Sequence, residues 1–573
     1  MRTLHRACAW KRDDRQRKID ALPVTYNDPL TPAEEKIHAL PLASLVTQCR
    51  SGVLNPADVM QAYAKKMLVA QKESNCITDI MVNHALDSSS LAHYGPGADS
   101  DSRASDFLRS RPLLGVPVSV KDSFDIEDHD TTIGLARFSD RPAKSSASIV
   151  RLLRDAGALI HVKTTVPTAL FSMETESDLF GRTTNPYKAT HGVGASTGGG
   201  GALVAWGGSM VEVGSDVAGS VRMPAHTCGI WSMKGSVGRF PVLGNMSPMT
   251  GLEAVPILTG PLANSLDNLE EFYKRVIDME PWTYDHTCVP LQWRPLDFLE
   301  EGRKLKWGVI WTDNTIPPTP ACKRALSTVV GALKADGHEV VDFSPPIEEV
   351  LSIGYQIVFA DGGRQIRNVL LPGETLNAAL VSVLKHVSRS RFVRTVRRLW
   401  SFIARKTELE FPDNLKEQTI VEERQLIVQR DELRQQWHEK WKNEGLDFVL
   451  TVTLPFPALE NGDGEKASLM SASYTFLFNM LDYSAGVLPV TNVRKDLDSL
   501  PVDFESTLMY QSLSAPARQA WSTYNAEKMD GLPLSVQVVG RRFEEEKVFA
   551  GMRVIEAALK KQKVLFVGKK DAV

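Results

Sequence analysis

The sequence predicts an α/β protein: one large mixed β-sheet flanked by helices on both faces, in a single domain with a helical insertion at about 340–445. Three observations predict it. Short apolar strands alternate with amphipathic helices along the chain. Nothing repeats at a fixed period, and no low-complexity linker divides the sequence. The 573 residues are 43% hydrophobic and 24% charged, enough to bury a large core without staples.

Residues 1–35 read as an N-terminal arm, loosely held or helical, ahead of a main domain at 36–573. Asn55 can cap a helix with Pro56 at its first position, and Val59, Ala62, Tyr63 and Met67 then form one apolar face. LLGVPVSV (113–120) reads as a strand with Val116, Val118 and Val120 on one side. A helix over Ser148–Ala156 closes at Gly157, and ALIHV (158–162) follows as a strand. Downstream, 418–443 is a long charged helix and DFVLTVTL (447–454) the next strand. LSVQVVG (534–540) alternates as a strand, and 542–559 is a helix with Val548, Met552, Ile555 and Leu559 on one face.

Charge and cysteine usage exclude several classes. With 66 basic and 69 acidic residues the net charge is −3, so no nucleic-acid partner is expected. The basic N-terminus is followed by no apolar core of a secretory signal, and no run of about 18 apolar residues suggests a transmembrane span. Six cysteines (8, 49, 76, 228, 288 and 322) form no CxxC or Cys/His cluster. The expectation is reduced thiols in a cytoplasmic protein, with no metal. Residues 384–406 carry eight lysines and arginines, with Phe392, Val396, Leu399 and Ile403 at helical spacing. That pattern fits either a lid helix packed on the domain or a weak contact with an anionic membrane surface.

The chemistry concentrates in residues 192–236, where glycines alternate with small hydroxylated residues. Glycine permits positive φ and close approach to a ligand, so the stretch reads as a loop whose N–H groups can bind an anion or oxyanion. A phosphate loop would need Lys-Ser/Thr after the glycines, but Ala202 and Leu203 follow Gly201. Gly194-Ala195-Ser196-Thr197-Gly198 satisfies G-x-S-x-G, yet the preceding NPYKATHGV is polar and turn-like rather than an apolar strand.

A third reading is a resemblance. GASTGGGGALVAWG and GSDVAGSVRMPAHTCG resemble the signature of the amidase signature enzymes, which include fungal-type general amidases, fatty acid amide hydrolase and the amidase subunit of tRNA-dependent amidotransferases. GVPVSVKDSF (115–124), VKTTVPTALFSMETESDLFGRTTNP (162–186) and GLPLSVQVVGRRFEEEKV (531–548) fall where that family has its other marks. The catalytic core then spans about 110–265.

The resemblance implies an amidase working through an acyl-enzyme, with Lys121 as base, Ser196 as proton relay and Ser220 as nucleophile. The N–H groups of Val217, Ala218, Gly219 and Ser220 would hold the oxyanion, and Leu170 would offer its backbone to the substrate, beside Phe171 and Ser172. Asp216 and Arg222 are expected to hold the loop as a pair. Singly, Lys121 would be a surface lysine and each serine a loop serine; only the constellation points to catalysis. Two positions depart from the family pattern. Ala195 stands where glycine often precedes the relay serine, at a peptide bond that is cis in family members, and Ala218 replaces a frequent oxyanion-loop glycine. No cofactor is implied; the partner is a small-molecule amide, and a homodimer is compatible with the pattern. The alternatives are an amidase subunit of a glutamine-dependent amidotransferase and a catalytically inactive amidase-fold binding protein.

Overall fold

A computed structural model describes residues 2–87, 111–388 and 414–569, apart from 565 and 567. The basic segment at 384–406 lies, beyond residue 388, outside the described residues, so neither of its two readings is decided.

Thirteen strands occur among the described residues: β1 (Ile77–Ile80), β2 (Pro117–Lys121), β3 (Leu159–Thr164), β4 (Glu176–Ser177), β5 (Gly181–Arg182), β6 (Val211–Asp216), β7 (Trp231–Lys234), β8 (Leu258–Ala263), β9 (Lys306–Ile310), β10 (Glu339–Asp342), β11 (Phe448–Val452), β12 (Ala485–Asn492) and β13 (Pro533–Val539). Eleven of them build one mixed sheet in the order β1-β3-β2-β6-β8-β7-β12-β13-β11-β9-β10, while β4 and β5 form a small hairpin. The ladders β3-β2, β2-β6, β11-β9 and β9-β10 are parallel and the others antiparallel.

Local chemistry accounts for the elements. Asn55 caps the helix Pro56–Ser74 by accepting from Ala57 N, and Thr419 with Glu422 forms a capping box at the start of Ile420–Asn443. All five residues of β2 are buried, not only the valines of one side. Helices cover both faces there, so the strand reads as a continuous buried run. Two large apolar clusters fill the two sides. One gathers Val118, Val120, Val213 and Leu262 with the helices Leu266–Asp278, Pro320–Ala335 and Glu545–Lys561. The other packs Ile310, Val449 and Val539 against Ile347–Val358, Ser473–Met480 and Trp437 and Trp441 of the long charged helix.

The N-terminal arm is a docked helix, Arg2–Asp20. Lys11 makes a buried ion pair with Asp130 at 2.8 Å, and Arg15 donates to Ile77 O at 2.7 Å. The glycine run also departs from the loop expected of it, since Gly198–Gly201 opens the helix Gly198–Ala205. The reason is close approach. A Cβ at Gly199 would stand 2.4 Å from Thr165 N, and one at Gly200 would stand 2.3 Å from the Glu212 carboxyl carbon. The glycines let this helix lie on the sheet.

Candidate active site

The site forms where three segments meet at one end of β2 and β6. Lys121 is the last residue of β2 and is 1% exposed. Its Nζ lies 2.8 Å from Ser196 Oγ, 2.9 Å from Ser215 Oγ and 3.0 Å from the Ser215 carbonyl oxygen. A neutral amine has two N–H donors and one lone pair. The Ser215 carbonyl and hydroxyl can take the donors, leaving the lone pair for the Ser196 hydroxyl. Burial pulls the lysine down to about 7, against the pull of the Asp216 and Glu212 carboxylates. An amine base near neutrality is therefore available.

Ser196 sits in the turn before the glycine helix, after a cis Ala195–Ser196 peptide bond, as the resemblance implies. Ser220 lies in the turn after β6, half-buried, and its carbonyl accepts from Thr197 N at 3.1 Å, which joins the two serine loops. No direct bond between the Ser196 and Ser220 hydroxyls is made among the described residues.

Asp216, the last residue of β6, fixes the turn that carries Ser220. It accepts from Gly219 N at 2.8 Å and Val221 N at 3.1 Å, and pairs with Arg222 at 3.0 Å. Both residues are fully buried. Burial works to raise this carboxyl, but Arg222 and further donors overcome it and hold it at about 2. Arg222 also donates to Thr475 O and Gln537 Oε1, both at 2.7 Å. Removing one partner strands a buried charge. Asp216→Ala is therefore expected to lower stability by about 3–5 kcal/mol in urea unfolding.

One cavity of about 820 Å³ collects Lys121, Ser196, Ser220, Val217, Ala218 and Leu170. Phe171 and Ser172 line it too, and Phe171 lies against Phe359 with ring centroids 6.2 Å apart. Gly219 corrects the expectation, because its N–H is committed to Asp216 and it does not line the cavity. It stands at φ 119°, with a Cβ position 2.2 Å from Thr475 Oγ1, so the turn requires glycine there. Ala218 is not among the residues at positive φ, which is why alanine fits. The amides of Val217, Ala218 and Ser220 bond no acceptor among the described residues.

Sequence reasoning missed most of the cavity wall. Met246, Met249 and Leu252 come from the loop before β8, and Val358, Phe359 and Phe476 from the second apolar cluster. Asn245 and Tyr355 are polar exceptions in that wall. Neither end of the Asn245 carboxamide nor the Tyr355 hydroxyl has a protein partner among the described residues. Neither lies in a motif, so no local signal marks them.

A buried lysine, two serines and a mostly apolar cavity make up the candidate site, and comparison with known proteins gives the class of the chain. The family model Amidase matches residues 58–549, and the chain belongs to the amidase signature family. It is an enzyme that hydrolyses amides. It is 31% identical to amidase 1 of Gibberella moniliformis over 505 residues, covering 87% of this chain and 89% of that one. Fatty-acid amide hydrolase 1 of Sus scrofa is 31% identical over 533 residues, covering 91% and 86%. A solved fatty acid amide hydrolase superposes with a TM-score of 0.83 at 25% identity, covering 96% of this chain and 94% of that chain.

Proposed function

We propose that the chain cleaves a carbon–nitrogen amide bond through Lys121, Ser196 and Ser220, with an acyl-enzyme on Ser220. The observation that carries this is the buried Lys121 Nζ, 2.8 Å from Ser196 Oγ, at the wall of the cavity that Ser220 faces. Ser220 Oγ attacks the carbonyl carbon and gives its proton to Ser196 Oγ, whose own proton passes to Lys121. The amides of Val217, Ala218 and Ser220 receive the oxyanion, where one such donor is worth about 3–4 kcal/mol. The C–N bond breaks as Ser196 protonates the departing nitrogen and Lys121 replaces that proton. Water then attacks the ester by the same relay, releasing the carboxylic acid, so ammonia or an amine is the other product.

Because the base works only when unprotonated, kcat/KM should rise with pH through about 7, the value to which burial brings Lys121, and level off above it. A rate flat across that range in a pH–rate profile would remove Lys121 from the role.

The cavity supports a bulky, apolar acyl group. Its volume of about 820 Å³ is that of a site for a drug-sized ligand, far beyond the needs of an acetyl group. Along a series of primary amides from acetamide to long-chain members, kcat/KM for ammonia release should climb by roughly fourfold per methylene until the cavity is filled. An optimum at acetamide would sink this substrate class. Ammonia release by the chain alone would also dispose of the amidotransferase-subunit alternative. The six cysteines are free, which supports a reducing, cytoplasmic setting. Among the described residues no helix is long and apolar enough to cross a membrane.

A further inference from the structure

Glu212 is fully buried beside the catalytic lysine, and the mechanism above gives it no part. It stands on β6 opposite Ser119 of β2, two residues before Lys121, so glutamate and lysine leave the sheet on the same face. Thr164, the β3 residue paired with Lys121, donates its hydroxyl to Glu212 Oε1 at 2.6 Å. Glu212 Oε2 accepts no hydrogen bond of normal length among the described residues. The glycine helix lies over the carboxyl so closely that a Cβ at Gly200 would meet Oε1 at 2.5 Å.

The surrounding charges single out one counterpart. Asp216, the other carboxylate acting on Lys121, is already neutralised by Arg222 at 3.0 Å. Lys163 and Asp122, one residue beyond Thr164 and Lys121 in either direction, pair with each other at 2.9 Å. The Cys76 thiol near Glu212 is buried, which pushes it up and keeps it neutral. Among the described residues, the cation that acts on Glu212 is Lys121.

We propose that Glu212 is a positioning residue for the reaction, which sets the proton affinity of the Lys121 base: ionised, it holds Lys121 as an ammonium, and protonated, it leaves a free amine. Passing from one state to the other moves one proton from Nζ to the carboxylate, with no change in net charge. Burial pushes Glu212 up, against the Ser119 and Thr164 hydroxyls and Lys121, and pulls Lys121 down, so the two groups titrate as a pair. This inference rests on the assignment of Lys121 as the base.

The test follows kcat/KM and the rate of fluorophosphonate labelling against pH in the wild type, Glu212→Gln and Thr164→Val. Glutamine keeps an acceptor for Thr164 and cannot ionise. Without the carboxylate, Lys121 loses its proton more readily, so the acid limb should move to lower pH by at least about 0.5 pH unit. Thr164→Val removes the hydroxyl that favours the ionised carboxylate, and should move the limb the same way by less. A folded Glu212→Gln whose limb superimposes on the wild type would overturn the proposal. If Glu212→Gln does not fold, an unmoved limb in Thr164→Val overturns it instead. Lys121→Ala separates the two readings. Labelling at the wild-type rate in that variant would remove the base assignment itself, whereas slow labelling with an unmoved Glu212→Gln limb would remove only the role of Glu212.

Discussion

Ser220→Ala is expected to lose amide turnover by about 10⁴-fold or more and to take up no fluorophosphonate, while Ser196→Ala still takes up the label slowly. The difference follows from position. Ser220 is half-buried on the turn that faces the cavity, whereas Ser196 is 2% exposed and lies against Lys121 Nζ. A reagent entering the cavity meets Ser220 first, and the amides of Val217, Ala218 and Ser220 beside it bond no acceptor among the described residues. Mass spectrometry of the labelled peptide reads the outcome directly. Label on Ser196 in the Ser220→Ala variant, with none on Ser220 in Ser196→Ala, would reverse the assignment in favour of the nucleophile-elbow reading of 194–198.

Lys121→Met should lower kcat/KM by a similar factor, about 10⁴-fold, and abolish the rise of rate through pH about 7. Methionine fills most of the buried volume but has no lone pair for the Ser196 proton, so the loss is one of chemistry rather than packing. Lys121 and Ser196 act as one relay, so Lys121→Met/Ser196→Ala should be little worse than either single variant. Steady-state kinetics on the same amide decide it. Full multiplication of the two losses would mean that the residues act independently, against the 2.8 Å contact between them.

Much of the fold was legible because its signals are local. The Asn55 cap, the Gly157 stop, the apolar run at 116–120 and the spacing of Val548, Met552 and Ile555 each depend on residues within a turn or two, and each element appears within a few residues of its expected bounds. The candidate triad was legible for a different reason. Lys121, Ser196 and Ser220 sit in short segments whose order and composition carry a family pattern, and the same three side chains come to line one cavity.

The sequence by itself thus determined the fold class and the family, and it named the candidate triad. Tertiary structure decided what local patterns do not encode. Glycines 198–201 read as loop because glycine favours no helix, yet packing against Thr165 and Glu212 makes them helical. Gly219 looked like an oxyanion donor until the Asp216 carboxylate claimed its N–H. The lowered proton affinity of Lys121 comes from burial, and its amine is held by Ser215, 94 residues away. The cavity that sets the substrate class joins residues of the 246–252 loop to residues of the helices at 347–358 and 473–480. Such contacts bring together positions hundreds of residues apart, and their chemistry exists only once the chain has closed around them.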